Sequence, residues 1–165
     1  MSLKNSIVSV YVAGKKKEHF VVNLPNIRNL QGFLKGCWDL SVYDDCFPRR
    51  NRLADVDGSI ELNGFTLHVE YKESKWSMNQ GQVIKAIRQA KYSNITTIFV
   101  FGKTNQPTSY LLFTPKDLQP DYIECDQESL NAVFKRWSNF TEKNNLVKSN
   151  TAEWQLANKY FTKGD

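Results

Sequence analysis

The sequence predicts an α/β fold, in which a central mixed β-sheet is flanked by helices and extra helices close the C-terminal end. Two strand-like segments are joined by Asn63-Gly64, a dipeptide that favours tight hairpin turns. Residues 77–91 have the apolar periodicity of an amphipathic helix, and residues 95–101 form a β-branched, aromatic run typical of a buried strand. Helices and strands in this order favour a mixed sheet with helices on both sides.

The segments before this region predict a strand pair and a first helix. Residues 7–12 and 19–22 are rich in β-formers and surround the turn at residues 14–17. Residues from about 26 to 40 predict a helix whose apolar side chains share one face, although Gly32 and Gly36 disfavour it.

The later segments predict one helix, two strands and two closing helices. Ser77 is the expected N-cap of the helix at 77–91, and residues 109–113 follow residues 95–101 as a second strand. The apolar stripe of that helix is Met78, Val83, Ile84, Ile87 and Ala90. Trp137 and Trp154 are expected to pack in the closing helices. The other apolar residues of those helices are Leu130, Val133 and Phe134, then Leu156, Ala157, Tyr160 and Phe161.

Size and composition favour one globular domain without a membrane segment. The chain has 165 residues, of which 41% are hydrophobic and 24% charged. We expect a single domain over residues 1–165, with a motif core at about 49–115 and a helical extension at about 126–161. No apolar run could cross a bilayer, and Lys4-Asn5-Ser6 interrupts any secretory signal, so we expect a cytoplasmic protein. The three cysteines are widely spaced and odd in number, which argues against a disulfide framework or zinc site.

The charge balance favours a polyanionic partner. Lys and Arg total 22 against 17 acidic residues, which gives a net charge of +5 and a pI near 9.1. The cationic residues are concentrated around an acidic segment, which is the arrangement expected of a site that holds phosphate. The residues expected to contact nucleic acid are Arg49, Arg50, Arg52, Lys75, Trp76 and Lys85.

Two acidic residues, Asp55 and Asp57, precede the predicted hairpin turn, and the sequence Glu70-Tyr71-Lys72 follows it. Asp57 stands 13 residues before Glu70, and the tight turn between them brings the two carboxylates together. Strand side chains alternate, so Glu70 and Lys72 share a face with Thr66 and His68. Leu67, Val69 and Tyr71 are expected on the other face, in the core. Two carboxylates and an ammonium group are what Mg²⁺-dependent phosphodiester cleavage needs.

These residues resemble the PD-(D/E)xK nuclease superfamily over residues 49–102. Asp57 and Glu70-Tyr71-Lys72 match its pattern, although Val56 replaces the proline. The resemblance implies a restriction-endonuclease-like core similar to that of small phage, VRR-like and Holliday junction resolvase enzymes. Such enzymes carry a glutamine about ten residues beyond the lysine, which favours Gln82, with Gln80 as the competing candidate.

The resemblance also implies a metal site and a mechanism. Asp57, Glu70 and the backbone carbonyl of Tyr71 would bind Mg²⁺, with Mn²⁺ as a substitute and Asp55 as the second-choice ligand. Lys72 and Gln82 would complete the catalytic set, and products would carry 5′-phosphates. Family members often have another acidic ligand on the first helix, and that role stays unassigned here. The candidates are Asp39, Asp44 and Asp45.

Each signal also has a structural interpretation. Asp57-Gly58 is equally typical of a turn, and Glu70 and Lys72 of a solvated strand face. His68 is expected to be structural or to contact substrate. Trp76 either stacks on an unpaired base or, more commonly, caps the core.

The sequence therefore predicts an Mg²⁺-dependent DNA endonuclease, a phosphodiester hydrolase of phage or mobile-element type. Its small size favours structure-selective cutting of branched, flap or junction DNA, and RNA stays open as a substrate. Symmetric cutting of a junction would require a homodimer. The alternatives are a non-catalytic nucleic-acid-binding protein on the same fold, and an interaction protein that docks through residues 127–144 and 151–161.

Overall fold

The computed structural model of this chain describes residues 4–11, 17–24, 36 and 39–161. The chain divides into two compact units, Met1–Ala54 and Asp55–Asp165. Along the described segments, no helix is both long and apolar enough to cross a membrane.

The N-terminal unit contains the predicted strand pair. Strands β1 (Lys4–Tyr11) and β2 (Lys17–Leu24) are antiparallel, with Lys4 opposite Leu24. The predicted helix at residues 26–40 lies mostly outside the described residues. Two short 3₁₀ helices follow at Leu40–Cys46 and Pro48–Arg50.

A carboxylate caps the first 3₁₀ helix. Asp39 accepts hydrogen bonds from the backbone nitrogen of Ser41 at 3.0 Å and from its hydroxyl at 2.6 Å. These bonds lower the pKa of Asp39, since they stabilise its charged form. Asp44 pairs with Arg52 at 3.1 Å. Both acids therefore have local structural partners in this unit.

The C-terminal unit is built on a five-stranded mixed sheet in the order β3-β4-β5-β6-β7. All neighbours are antiparallel except β4 and β5, which are parallel and are connected through helix α1. The strands are β3 (Gly58–Leu62), β4 (Phe65–Lys72), β5 (Ile95–Lys103), β6 (Gln106–Phe113) and β7 (Ile123–Glu124). The helices are α1 (Gln80–Ser93), α2 (Gln127–Lys143) and α3 (Asn150–Asn158). The prediction of an α/β fold with a mixed sheet is confirmed.

The hairpin turn between β3 and β4 is the one that the dipeptide predicts. Asn63 and Gly64 have φ values of 55° and 86°, so both central residues are left-handed, as a type I′ turn requires. The Glu61 carboxylate accepts a hydrogen bond from the Gly64 nitrogen at 2.6 Å. The turn is also held from outside, because the Leu146 nitrogen donates to the Asn63 carbonyl at 3.0 Å. This turn sets the register that places Gly58 opposite Val69.

Apolar side chains cover both faces of the central strand β5. Ile98 and Phe99, which are neighbours in the strand and face opposite sides, are fully buried. On one face of the sheet, strand residues pack against Leu130 and Val133 of α2. These strand residues are Leu67, Val69, Ile98, Val100 and Tyr110. On the other face, strand residues pack against Ala86 of α1. These strand residues are Phe99, Phe101, Leu111 and Phe113. The sheet is therefore flanked by a helix on each face.

Helix α1 begins later than the sequence predicts. Ser77 does not cap it, because Lys75–Ser77 forms a separate 3₁₀ turn closed by a hydrogen bond from the Ser77 nitrogen to the Ser74 carbonyl. Asn79 is the N-cap, and its side-chain oxygen accepts from the Gln82 nitrogen at 2.9 Å. The apolar stripe differs at one position from the predicted one: Ile84 is exposed, and Ala86 is buried.

The two C-terminal helices differ in how they pack. Helix α2 has a capping box between Asp126 and Ser129, and Phe134 and Trp137 pack against the core as predicted. Helix α3 is short, and its Trp154 is 67% exposed, so the prediction that Trp154 packs is wrong. The aromatic residues after it, Tyr160 and Phe161, are exposed as well. A pattern of apolar spacing was sufficient to place a helix here but not to bury it.

Replacing Gly64 with alanine is expected to destabilise the C-terminal unit by about 1–3 kcal/mol. The added Cβ would require a left-handed conformation and would lie 2.9 Å from the Leu146 Cβ. Urea unfolding measures the change. Gly58→Ala is the matched control, because its Cβ would meet Val69 at an ordinary 3.4 Å. That control should keep or slightly raise stability, by up to about 1 kcal/mol. Equal unfolding midpoints for the two variants would contradict the turn assignment.

Candidate active site

Three predicted catalytic side chains meet at one carboxylate oxygen. Glu70 lies near the end of β4 and is buried, with 7% of its surface exposed. Its Oε2 atom accepts from the Lys72 ammonium at 3.2 Å and from the Gln82 side-chain amide at 3.2 Å. The Lys72 side chain is itself only 14% exposed, so solvent screens this ion pair weakly. Glu70 is therefore a buried carboxylate held from two elements.

Strand alternation and the start of α1 explain why these groups converge. Glu70 and Lys72 are two positions apart on β4, so both side chains lie on the face that α1 covers. The Asn79 cap places Gln82 in the first turn of α1, where it reaches Glu70. Gln80 is exposed and forms no hydrogen bond with Glu70 among the described contacts. Of the two glutamine candidates, the structure brings only Gln82 to the carboxylate.

Asp57 is tied to the same strand through the backbone. Its Oδ2 atom accepts a hydrogen bond from the Tyr71 nitrogen at 2.8 Å. A strand residue directs its N–H and C=O toward the same neighbour, so the Tyr71 carbonyl lies on the Asp57 side of β4. Strand β3 begins at Gly58, so Asp55 and Asp57 both precede it and neither lies on a strand face. Asp55 is exposed and has no hydrogen bond or ion pair in the part of the chain that the structure describes.

The predicted core face of β4 is correct for two of its three residues. Leu67 and Val69 are buried, with 2% and 8% of their surfaces exposed, but Tyr71 is 58% exposed. The α2 side chains that cover this face pack on Val69, and their coverage ends before Tyr71. The tyrosine ring instead lines an open cleft at the end of the strand.

Behind Glu70 lies a small polar cavity that the sequence did not indicate. His68 and Thr97 are paired neighbours on β4 and β5, and both line this cavity with Glu70, Gln82 and Lys85. His68 Nδ1 and Thr97 Oγ1 are buried without a hydrogen-bond partner among the described residues. The cavity volume of about 10 Å³ is close to that of one water molecule's probe sphere. Lys85, predicted to contact nucleic acid, is half-buried beside this cavity.

The remaining predicted nucleic-acid contacts fall in two places. Trp76 is 85% exposed, with the Lys75 ammonium 5.0 Å from its ring centroid, so the alternative in which Trp76 caps the core is wrong. The arginines Arg49, Arg50 and Arg52 belong to the N-terminal unit, and their contribution to an interface stays a prediction.

The donor atoms at this site fit a hard divalent cation. Asp57 Oδ1 and Glu70 Oε1 make no hydrogen bond or ion pair within the described contacts, so each carboxylate keeps one uncommitted oxygen. Together with the Tyr71 carbonyl these are oxygen ligands of the kind that Mg²⁺ prefers. Residues 39–161 and the two N-terminal strands contain no cluster of three or more His, Cys, Asp or Glu side chains suited to a metal. Mg²⁺ commonly uses only one or two carboxylates and completes its shell with water and phosphate, so two suffice.

No protein-family model matches this chain, and no curated protein or solved structure matches it significantly. What the chain can do is therefore inferred from the geometry around Glu70 and from the chemistry of the groups collected there.

Replacing Thr97 with valine is expected to leave the free energy of unfolding unchanged or to raise it by up to about 1 kcal/mol, because a buried hydroxyl without a partner is removed. Thr141→Val is the matched control. Its hydroxyl is equally buried but donates to the Ser138 carbonyl at 2.8 Å, so that variant should lose about 1 kcal/mol. Chemical denaturation of both variants checks this. An equal loss in the two variants would show that the Thr97 hydroxyl is satisfied in solution.

Proposed function

We propose that this chain is a metal-dependent nuclease that hydrolyses phosphodiester bonds in DNA. The observation that carries the proposal is the buried Glu70 carboxylate, which holds Lys72 and Gln82 on one oxygen and leaves the other uncommitted. Asp57 lies directly before the neighbouring strand β3 and accepts a hydrogen bond from the backbone nitrogen of Tyr71, the residue after Glu70. This is the donor set that cleavage of a phosphodiester with a divalent cation requires.

A structural ion pair would be a weaker explanation of the same groups. Burying two charges costs desolvation energy that their attraction seldom exceeds, so such a pair is poor evidence of a stabilising role. Here a third polar side chain, from a different element, is directed at the same oxygen. Lys72, one member of the group, also lines an open cleft at the end of β4 together with Tyr71. Convergent polar groups next to a cleft favour a site of chemistry.

Asp57, Glu70 and the Tyr71 carbonyl would hold Mg²⁺, with Mn²⁺ as a substitute. The ion when bound would stabilise negative charge on phosphate oxygens and promote deprotonation of the attacking water. The hydrogen bond that Asp57 Oδ2 accepts from the Tyr71 nitrogen orients the carboxylate, so that its free oxygen Oδ1 would be available to the ion.

Lys72 and Gln82 act on the phosphate and on Glu70. The Lys72 ammonium is held against Glu70 and contributes positive charge where the pentacovalent phosphate would develop extra negative charge. Because its side chain is mostly shielded from water, that charge is more effective than at an exposed position. Gln82 occupies the same Glu70 oxygen as Lys72, which keeps the second oxygen free.

A nucleic-acid-binding protein without catalysis is the second candidate. The observation that favours it is Trp76, an almost fully exposed tryptophan beside Lys75, which can stack on a base without any metal. Both candidates predict DNA binding. Only the nuclease predicts Mg²⁺-dependent nicking, which separates them on branched, flap, single-stranded and duplex DNA.

The variants Asp57→Asn and Lys72→Ala are expected to reduce Mg²⁺-dependent cutting by about 10²-fold or more. The first weakens a ligand of the ion, and the second removes a positive charge that would stabilise the reacting phosphate. DNA affinity should stay within about threefold, because most of it comes from other phosphate contacts. Gel assays of cleavage and fluorescence anisotropy measure the two quantities, with circular dichroism to verify folding. Wild-type rates in both variants would exclude the proposed mechanism.

Gln82→Ala is expected to reduce cutting by about 10-fold, because the Glu70 carboxylate loses one of the two donors that orient it. Gln80→Ala is the matched control, since Gln80 lies in the same helical turn but is exposed. The control should cut like the wild type. If the two variants cut DNA at the same rate, whether that rate is normal or reduced, Gln82 has no specific role in the site.

A further inference from the structure

An open cleft of about 670 Å³ lies where the parallel strands β4 and β5 end. Parallel neighbours end at the same edge of a sheet, and this edge is where α/β proteins commonly bind ligands. The cleft contacts Tyr71 and Lys72 of β4, and Lys72 is also the partner of Glu70, although Glu70 itself lies on the α1 face and does not line the cleft. Its volume falls in the range of sites that hold small ligands or single monomers of a polymer.

The cleft has an apolar wall and a polar, cationic rim. Val100, Leu130 and Phe134 form the wall, and the exposed ring of Tyr71 extends it. Lys103 lies at the rim with the amide side chains of Asn105 and Gln127. Lys72, Lys103 and Glu73 are the charged residues that line the cleft, and Lys72 is paired with Glu70. A flat apolar surface, hydrogen-bonding edges and a nearby anion are the three features of a nucleotide.

We propose that this cleft binds one unpaired nucleotide of the substrate, at the end of β4 where Lys72 lines it. The inference rests on the nuclease function proposed above and names its substrate class: DNA with a single-stranded segment. The base would lie against Tyr71 and Phe134, and its phosphate would lie toward Lys72 and Lys103.

The apolar wall is what distinguishes an unpaired base from a paired one. In a duplex, the faces of each base are covered by stacking on neighbours, and only edges and backbone are accessible. An apolar wall can contact a base face only when the base is unstacked or single-stranded. A surface made only for duplex backbone would need the lysines but would gain nothing from Tyr71 and Phe134.

The test measures binding separately from cutting. A 12-nucleotide single strand carries one 2-aminopurine, and the same strand is also annealed to its complement. Both are titrated with full-length protein in EDTA, and fluorescence reports unstacking and contact with the cleft. The variants are Lys103→Glu and Tyr71→Ala. Lys116→Glu is the matched control, because it makes the same charge change at an exposed residue beyond the opposite end of β6.

Single-strand affinity is expected to fall by about 10-fold in Lys103→Glu and in Tyr71→Ala, and by less than about twofold in Lys116→Glu. The fluorescence change of the bound single strand should shrink in Tyr71→Ala. Duplex affinity should change equally little in Lys103→Glu and Lys116→Glu. No single-strand binding by the wild type, or equal single-strand affinities in Lys103→Glu and Lys116→Glu, would overturn the cleft assignment.

Cutting assays with Mg²⁺ separate this inference from the function on which it rests. If the variants lose single-strand binding but the wild type cuts no DNA, the nuclease proposal fails and the nucleotide site stands. If the wild type cuts duplex and single-stranded DNA alike, and Lys103→Glu cuts both like the wild type, the nuclease stands and the cleft assignment fails.

Discussion

The burial of one carboxylate, that of Glu70, sets the conditions that the surrounding elements must meet. An isolated charge removed from water is costly, so a buried carboxylate needs donors close by. One donor comes from β4 itself, two residues on, and the other comes from the first turn of α1. The strand, the crossover helix and the helix cap are therefore coupled through one side chain. A change that shifts the helix or its cap removes the Gln82 donor and leaves Lys72 as the remaining partner of this charge.

The hairpin before β4 imposes a second constraint, on the position of Asp57. The type I′ turn fixes the register of β3 against β4, and a slip of one residue would move every β3 side chain to the other face. The correct register places Asp57 just before the strand, where its carboxylate reaches the Tyr71 nitrogen. The contact from Leu146 to the turn adds a long-range anchor to this local geometry. The conformation of the turn at Asn63-Gly64 thus determines the position of the Asp57 carboxylate, several residues away.

Local patterns predicted the parts of the molecule that local forces decide. The hairpin followed from the steric preferences of Asn63-Gly64, and strand β5 from its β-branched and aromatic residues. The contact between Glu70 and Lys72 followed from strand alternation, and the approach of Asp57 to the end of β4, where it meets the Tyr71 nitrogen, followed from the length of the hairpin. The start of α1 was wrong, because Ser77 and Asn79 are both acceptable caps and a 3₁₀ turn uses the first.

Other features depend on how far neighbouring elements extend, and the sequence does not encode this locally. Tyr71 has the spacing of a core residue, but the cover provided by α2 ends before it. Trp154 has the spacing of an amphipathic helix, but α3 leaves it exposed. The cleft beside the site is visible only once the ends of two parallel strands and one helix are assembled.

The pairing of β4 with β5 has a kinetic consequence of its own. The β3-β4 hairpin can form from local contacts, whereas the parallel pairing must await closure of the whole crossover, which is the slower kind of event. Asp57 can therefore meet Tyr71 early during folding, whereas Glu70 meets Gln82 only after the crossover docks, so the cluster around Glu70 would be completed after the Asp57 contact.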